Sequence, residues 1–311
     1  MKKIILLLTA LAGALTWTGC QKIENELSPK EEAPQGKTWT ITVRAEKTDG
    51  PQTKGLEIGD EVDGTLLKSV WKTGEEVKVY LGTDCIGTLT ATPDGSDAHL
   101  ATLSGSVTTT ASIEENTTTL TLLTPRETWD YTGQIGKLLL SDDATDSIEK
   151  KFHYTMATDV LVTGATDNGG NNWTITTEDA SFTNQQSIYR FSFRYTTGSV
   201  AINAKSLTIS GAGGELVQSQ VLGGATNKGD ISVTLGSATT NPFFVALRNG
   251  NVADEVFTFK VVDNTGVTYR GTKTIPAAAK GNGTFVSMKN TSLPERLDLV
   301  LSSTTEVDTV L

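Results

Sequence analysis

Thr38-Trp39-Thr40-Ile41-Thr42-Val43-Arg44-Ala45 decides the fold class. Trp39, Ile41, Val43 and Ala45 alternate with Thr38, Thr40, Thr42 and Arg44, a period of two that marks a strand with one buried face. Working outward, the same period returns along the chain. Val77, Val79 and Leu81 alternate with Lys78 and Tyr80, Leu120 and Leu122 sit among threonines, and Phe152, Tyr154 and Met156 flank His153. Tyr189, Phe191, Phe193 and Tyr195 face one way, while Arg190, Ser192 and Arg194 face the other. Ile231/Val233/Leu235, Phe243/Val245/Leu247 and Phe257/Phe259/Val261 continue the pattern. Threonine is frequent and suits a pleated surface.

Turn signals separate these runs: Asp49-Gly50-Pro51, Asp94-Gly95, Asn168-Gly169-Gly170, Asn264-Thr265-Gly266 and Gly281-Asn282-Gly283. After the N-terminal apolar run, no amphipathic helical stretch of three turns appears. The chain therefore reads as all-β, most simply as two tandem β-sandwich domains. The boundaries expected are 38–183 for the first sandwich and 184–293 for the second, with 294–311 as a C-terminal tail. No short-period repeat points to a propeller or solenoid.

Residues 1–19 read as a cleaved targeting peptide: Lys2-Lys3, an apolar run from Ile4 to about Leu15, then small Thr18-Gly19 before Cys20. Ending on Gly19-Cys20 with polar Gln21-Lys22 behind it resembles a bacterial lipoprotein box. That resemblance implies that Cys20 becomes the mature N-terminus and carries acyl chains, palmitate among them. More than one such chain anchors a protein stably, at ~0.8 kcal/mol for each buried methylene. Residues 20–37, with Pro29, Glu31, Glu32, Pro34 and Gly36, cannot bury apolar surface and read as a flexible tether. Gln21 is not the Asp that retains many lipoproteins in the inner membrane. Glu24 and Glu26 resemble the acidic export tags of Bacteroidetes surface lipoproteins, so the expected address is the outer face of the outer membrane.

The formal charge of −10 grows more negative when Lys2 and Lys3 are removed. Nucleic acid as a partner is excluded on that ground, since phosphates need a basic surface. With Cys20 acylated, Cys85 has no disulfide partner, and between Tyr80-Leu81-Gly82 and Ile86 it reads as a small buried apolar residue.

Signatures of catalysis do not assemble. His99 and His153 lie far apart in strand-like context, and there is no HExxH, CxxC or GxSxG. Gly224 to Gly229 has a phosphate-loop length but ends in Gly229-Asp230. Glu57, Asp60, Glu61 and Asp63 do not have EF-hand spacing, and with Asp142, Asp143 and Asp146 they read as solvated loops. The expectation is no enzyme, no cofactor and no metal; a paired-carboxylate hydrolase ranks third among the readings.

Several segments together resemble the fimbrillin-like lipoproteins of Bacteroidetes, the subunits and relatives of their surface pili. They are Thr38 to Val43 followed by Thr53-Lys54-Gly55, then Val70-Trp71-Lys72-Thr73-Gly74-Glu75-Glu76-Val77, then Ala101-Thr102-Leu103-Ser104-Gly105. Leu122-Leu123-Thr124-Pro125-Arg126, Trp129-Asp130-Tyr131-Thr132-Gly133-Gln134 and Ala180-Ser181-Phe182-Thr183-Asn184-Gln185-Gln186 complete the set. The resemblance implies transthyretin-like sandwiches and assembly by β-strand addition. A cut after an arginine near the first strand frees a groove, which a neighbour's C-terminal strand fills. Arg44 is the only arginine in the first 125 residues, and Thr53-Lys54-Gly55 stands where family members show Thr-Arg-Ala. Arg44 and Lys54 are thus the candidate processing residues, and Leu297, Leu299 and Leu301 the candidate donor strand. Such a protein is a pilus subunit, anchor or adhesin whose partners are membrane lipid and other subunits or copies of itself. The alternative is a non-polymerising surface lipoprotein that binds glycan or host protein.

Overall fold

A computed structural model describes residues 36–47, 70–136, 148–214, 216–248, 253–277 and 285–297. The targeting peptide, Cys20, the tether up to Gln35, Lys54, both acidic clusters, Leu299 and Leu301 lie outside the described residues, and Lys37, expected to end the tether, already opens the first strand. Gly36 onward belongs to one compact unit.

The chain is all-β. In the first half, β1 (Lys37–Lys47), β2 (Glu76–Leu81), β3 (Asp84–Pro93), β4 (Leu100–Thr109) and β5 (Thr119–Thr124) are followed by β6 (Thr128–Asp130) and β7 (Gln134–Ile135). Next come β8 (Thr155–Asp167), β9 (Asn172–Thr177) and β10 (Ala180–Asn184). The ladder runs β1-β4-β3-β2-β5-β8-β9, and β9 then pairs back onto β1, so seven strands close into a barrel-like ring that β10 bridges between β1 and β8. Closure leaves β1 no open edge along Thr38–Thr42.

The second half supplies β11 (Ser187–Tyr195), β12 (Val200–Ala201), β13 (Ala204–Gly211), β14 (Val217–Val221), β15 (Thr226–Lys228), β16 (Ile231–Thr239) and β17 (Phe243–Leu247). It ends with β18 (Glu255–Asp263), β19 (Thr268–Ile275), β20 (Phe285–Leu293) and β21 (Glu295–Leu297). One sheet has the order β21-β19-β18-β13-β16-β7, and another centres on β11 with β12, β17 and β20 around it. Two apolar clusters result. One gathers Trp39, Ile41, Val43, Trp71, Leu103 and Phe182 inside the ring. The other gathers Tyr189, Phe191, Phe193, Phe243, Phe257 and Phe259 between the second-half sheets, and it also takes in Trp129, Tyr131 and Tyr154.

Three local readings change. Phe152 ends a five-residue π-helical turn (Ile148–Phe152), and the strand begins only at Thr155. On β11, Ser192 is buried and Arg190 and Arg194 are half-buried, so both faces of this strand are covered. The reason is visible on its neighbour: Phe244 and Ala246 of β17, which face with Arg190, are themselves buried, and the Arg190 guanidinium lies 5.5 Å over the Phe244 ring. Cys85 is exposed, because it falls at the start of β3 just after the hairpin turn. Its Sγ lies 3.7 Å from Glu127 Oε1 and 3.8 Å from Gly87 O. Partial desolvation, then the Glu127 charge, pushes the thiol's pKa up, away from reactive thiolate.

Candidate functional site: the slot held by the first strand

β1 carries the alternation read from the sequence through to its last residue: Trp39, Ile41, Val43, Ala45 and Lys47 are buried, and Thr40, Thr42, Arg44 and Glu46 are exposed. Its antiparallel partner β4 runs alongside for the whole length, from Lys37↔Thr109 to Glu46↔Leu100. On its other side, two parallel ladders meet it in succession. β9 pairs from Thr38↔Asn172 to Thr42↔Thr176, and β10 from Ala45↔Ala180 to Lys47↔Phe182. Arg44 sits in the gap between those ladders, outward and opposite Thr102.

The two ends of the strand are fixed differently. At the entry, Trp39 and Trp173 lie with centroids 5.1 Å apart, and Lys37 Nζ stands 4.8 Å over the Trp173 ring. At the exit, Lys47 is a buried charge, 3% exposed, beside a Glu75 side chain that is 18% exposed. Its Nζ donates to both Glu75 oxygens at 2.8 Å and to Val70 O at 3.1 Å, and sits 4.1 Å over the Trp71 ring. Glu75 also accepts from Thr124 Oγ1 at 2.9 Å and from Lys72 N at 3.3 Å. Nearly every donor and acceptor in this cluster is answered, the condition under which a buried ion pair is tolerated. The period of two extended one step beyond Ala45 gives Lys47 its inward direction. Nothing local announces Glu75 as its partner, since the turn at Gly74 brings them together.

His153 adjoins this cluster, with Nε2 2.7 Å from Asn184 Oδ1 at the end of β10. Burial, with the Lys47 charge adding to it, draws its pKa down from 6.5 to about 4. The folded chain therefore holds a neutral imidazole where the unfolded chain would take up a proton. Stability is full above about 6.5 and falls as pH drops from there toward about 4. Denaturant midpoints measured across that window should show the decline in the wild type and a flatter profile in His153→Gln.

Short of the exposed Arg44 and Glu46, the outer face of the same strands carries a field of uncharged hydroxyls. Thr90, Ser104, Thr42 and Thr176 lie in line across β3, β4, β1 and β9, with Ser106, Thr40 and Thr174 beside them, all exposed.

Of the residues named from the sequence, Arg44 lies on this strand, and Leu297 is far from it in the fold order, closing β21 opposite Thr268. The register matters: Glu295↔Arg270, Tyr269↔Arg296 and Leu297↔Thr268 run toward the start of β19, and the turn Asp263–Gly266 precedes it. Among the described residues, no group of three or more His, Cys, Asp or Glu side chains is arranged to hold a metal ion. No helix among them is long and apolar enough to cross a membrane.

No known family profile matches the chain, and no curated protein matches it. Solved structures do. One, called a "putative adhesin" from Bacteroides ovatus, is 9% identical at a TM-score of 0.40, covering 80% of this chain and 87% of its own. Another from the same species, called a "putative cell adhesion protein", is 12% identical at 0.37, covering 85% and 96%. A fimbrial assembly protein from Parabacteroides distasonis is 9% identical at 0.33, covering 82% and 90%. These three solved structures, to which the chain is similar, carry the names of adhesion and fimbrial proteins from Bacteroides and Parabacteroides.

Proposed function

We propose that the protein is a non-catalytic surface lipoprotein, held in the outer membrane through acylated Cys20. In this reading it serves as a fimbrillin-like pilus subunit, anchor or adhesin that assembles by β-strand addition. Two sandwich modules, 38–183 and 184–293, form its body, and the tail 294–311 supplies the donor. The observation that carries the reading is the seat of β1. This strand is hydrogen-bonded on both sides and drives a row of Trp39, Ile41 and Val43 into the ring core. Burying such side chains stabilises by ~1.5–3 kcal/mol each, and each unpaired buried backbone group costs ~1–3 kcal/mol. A slot emptied by a cut after Arg44 would therefore bind strongly to any strand presenting an apolar residue at every second position. Leu297, Leu299 and Leu301 have that spacing.

Filaments sheared from cells and sequenced from the N-terminus should begin at Ala45 or Gly55 for a stalk subunit and at Cys20 for an anchor. Aspartate at Leu297 and Leu299 together should abolish polymer while leaving a folded monomer. Polymer that persists in this double variant would remove the tail as donor.

A second reading, a lipid-anchored binder of glycan or host protein that does not polymerise, is favoured by the hydroxyl field across β3, β4, β1 and β9. An uncharged array of donors and acceptors suits a polyhydroxylated ligand. Glycan-array binding by the wild type, lost when Thr42, Ser104 and Thr176 become lysine, would support it over assembly.

A further inference from the structure

Residues 128–136 lie in sequence between β5 and β8, two strands of the first-half ring, yet their strand partners are in the second half. Thr128, Trp129 and Asp130 pair with Val221, Gln220 and Ser219 of β14. Tyr131 N donates to Gln218 O at 2.8 Å, Gln134 and Ile135 pair with Val233 and Thr234 of β16, and Gly136 N donates to Thr234 O at 3.2 Å. The chain then returns to the ring at β8.

Gln134 is the centre of this excursion. It is 2% exposed, and its Nε2 donates to Ala246 O at 2.7 Å and to Tyr131 O at 2.9 Å, while its Oε1 accepts from Ala246 N at 2.9 Å. A side-chain amide offers the same donor and acceptor as a peptide group, so Gln134 completes the β17 edge as a strand residue would. Gly136 allows the close approach. A Cβ there would stand 2.8 Å from Phe243 Cδ2 and 3.2 Å from Leu235 Cγ. From the other direction, Arg248 lies 4.3 Å over the Trp129 ring and donates from Nη1 to Gln185 O and Oε1, both at 2.9 Å. Gln186 Oε1, next in the chain, accepts from Tyr154 N at 2.9 Å.

We propose that residues 128–136 are a clasp that makes the two apolar bodies open together, so that tension applied between the two ends of the chain is borne without parting them. Ordinary modules joined by one crossover separate when that crossover yields. Here the crossover at Gln185-Gln186 and the excursion at 128–136 are two ties, joined to each other where Arg248 bonds Gln185 and covers Trp129. Separation requires both to fail, and leaves the buried N–H and C=O of Ala246 unanswered.

The test is hydrogen exchange on the full chain at increasing denaturant, read on peptides from β1 and β4 for one body and from β11 and β17 for the other. In the wild type the slowest amides of both bodies should share one opening and one denaturant dependence. In Gln134→Leu they should part, with the slowest β17 amides opening at least about tenfold more readily than those of β4. Arg248→Met, which removes the hydrogen bonds to Gln185 and the charge over the Trp129 ring while leaving an apolar side chain there, should part them in the same direction if Gln134→Leu does not fold. Wild-type bodies that already open independently would overturn the clasp. So would a folded Gln134→Leu or Arg248→Met chain whose two bodies still open as one.

Discussion

Glu75→Ala lowers the stability of the folded chain by about 3–5 kcal/mol, the effect expected when a buried ion pair loses one partner. The magnitude follows from what stays behind. Lys47 is almost wholly buried, and its ammonium would keep Val70 O and the Trp71 ring but lose the carboxylate that answers its charge. Lys47→Met should cost less. Glu75 keeps Thr124 Oγ1 and Lys72 N as donors and is the more exposed partner of the two. The double change Lys47→Met with Glu75→Leu should recover most of the loss, because two well-packed apolar side chains need no counter-charge. Urea denaturation of the four chains gives the ordering. A double variant no more stable than Glu75→Ala would show that the pair is worth keeping for its own attraction, against the expectation.

Phe191→Ala should also remove about 3–5 kcal/mol, by cavity formation at the centre of the second apolar cluster. Phe191 stacks between Tyr189 at 5.6 Å and Phe193 at 5.7 Å along its own strand, and meets Phe259 edge-on at 5.6 Å from the facing sheet. Phe243, its cross-strand partner on β17, lies at 6.5 Å. Rings held on a strand cannot slide into the gap as side chains on a mobile loop would, so little of the void can collapse. Calorimetry of the variant reads the loss as a lowered midpoint. A drop under about 1 kcal/mol would mean that the facing sheet moves in to fill the space.

How much of this was legible beforehand differs from strand to strand. Trp39 to Ala45 announced a buried row and kept it, because a period of two is a local property and the ring supplies an interior on one side only. Tyr189 to Tyr195 announced a buried row too, but Ser192 on its other face is buried as well. Whether a strand has one covered face or two depends on what arrives from elsewhere in the chain, here β17 with Phe244 and Ala246. Thr128–Asp130 and Gln134–Ile135 are too short to show any period, and they are strands only because β14 and β16 lie within reach. Cys85 had strand-like neighbours and small size, yet a hairpin turn put it at the surface. For the slot itself, the inward direction of Lys47 was open to reading, while Glu75 and the paired ladders of β9 and β10 are non-local and were not.

The way the ring shuts has a bearing on how the polypeptide must come into being. Trp39 is made early, but its neighbour Trp173 follows much later, and Ala45 waits as long for Ala180. Pairings between such distant positions form slowly. The leading segment must therefore wait with its seam unzipped, and the last stitch is sewn only when β9 and β10 have been made.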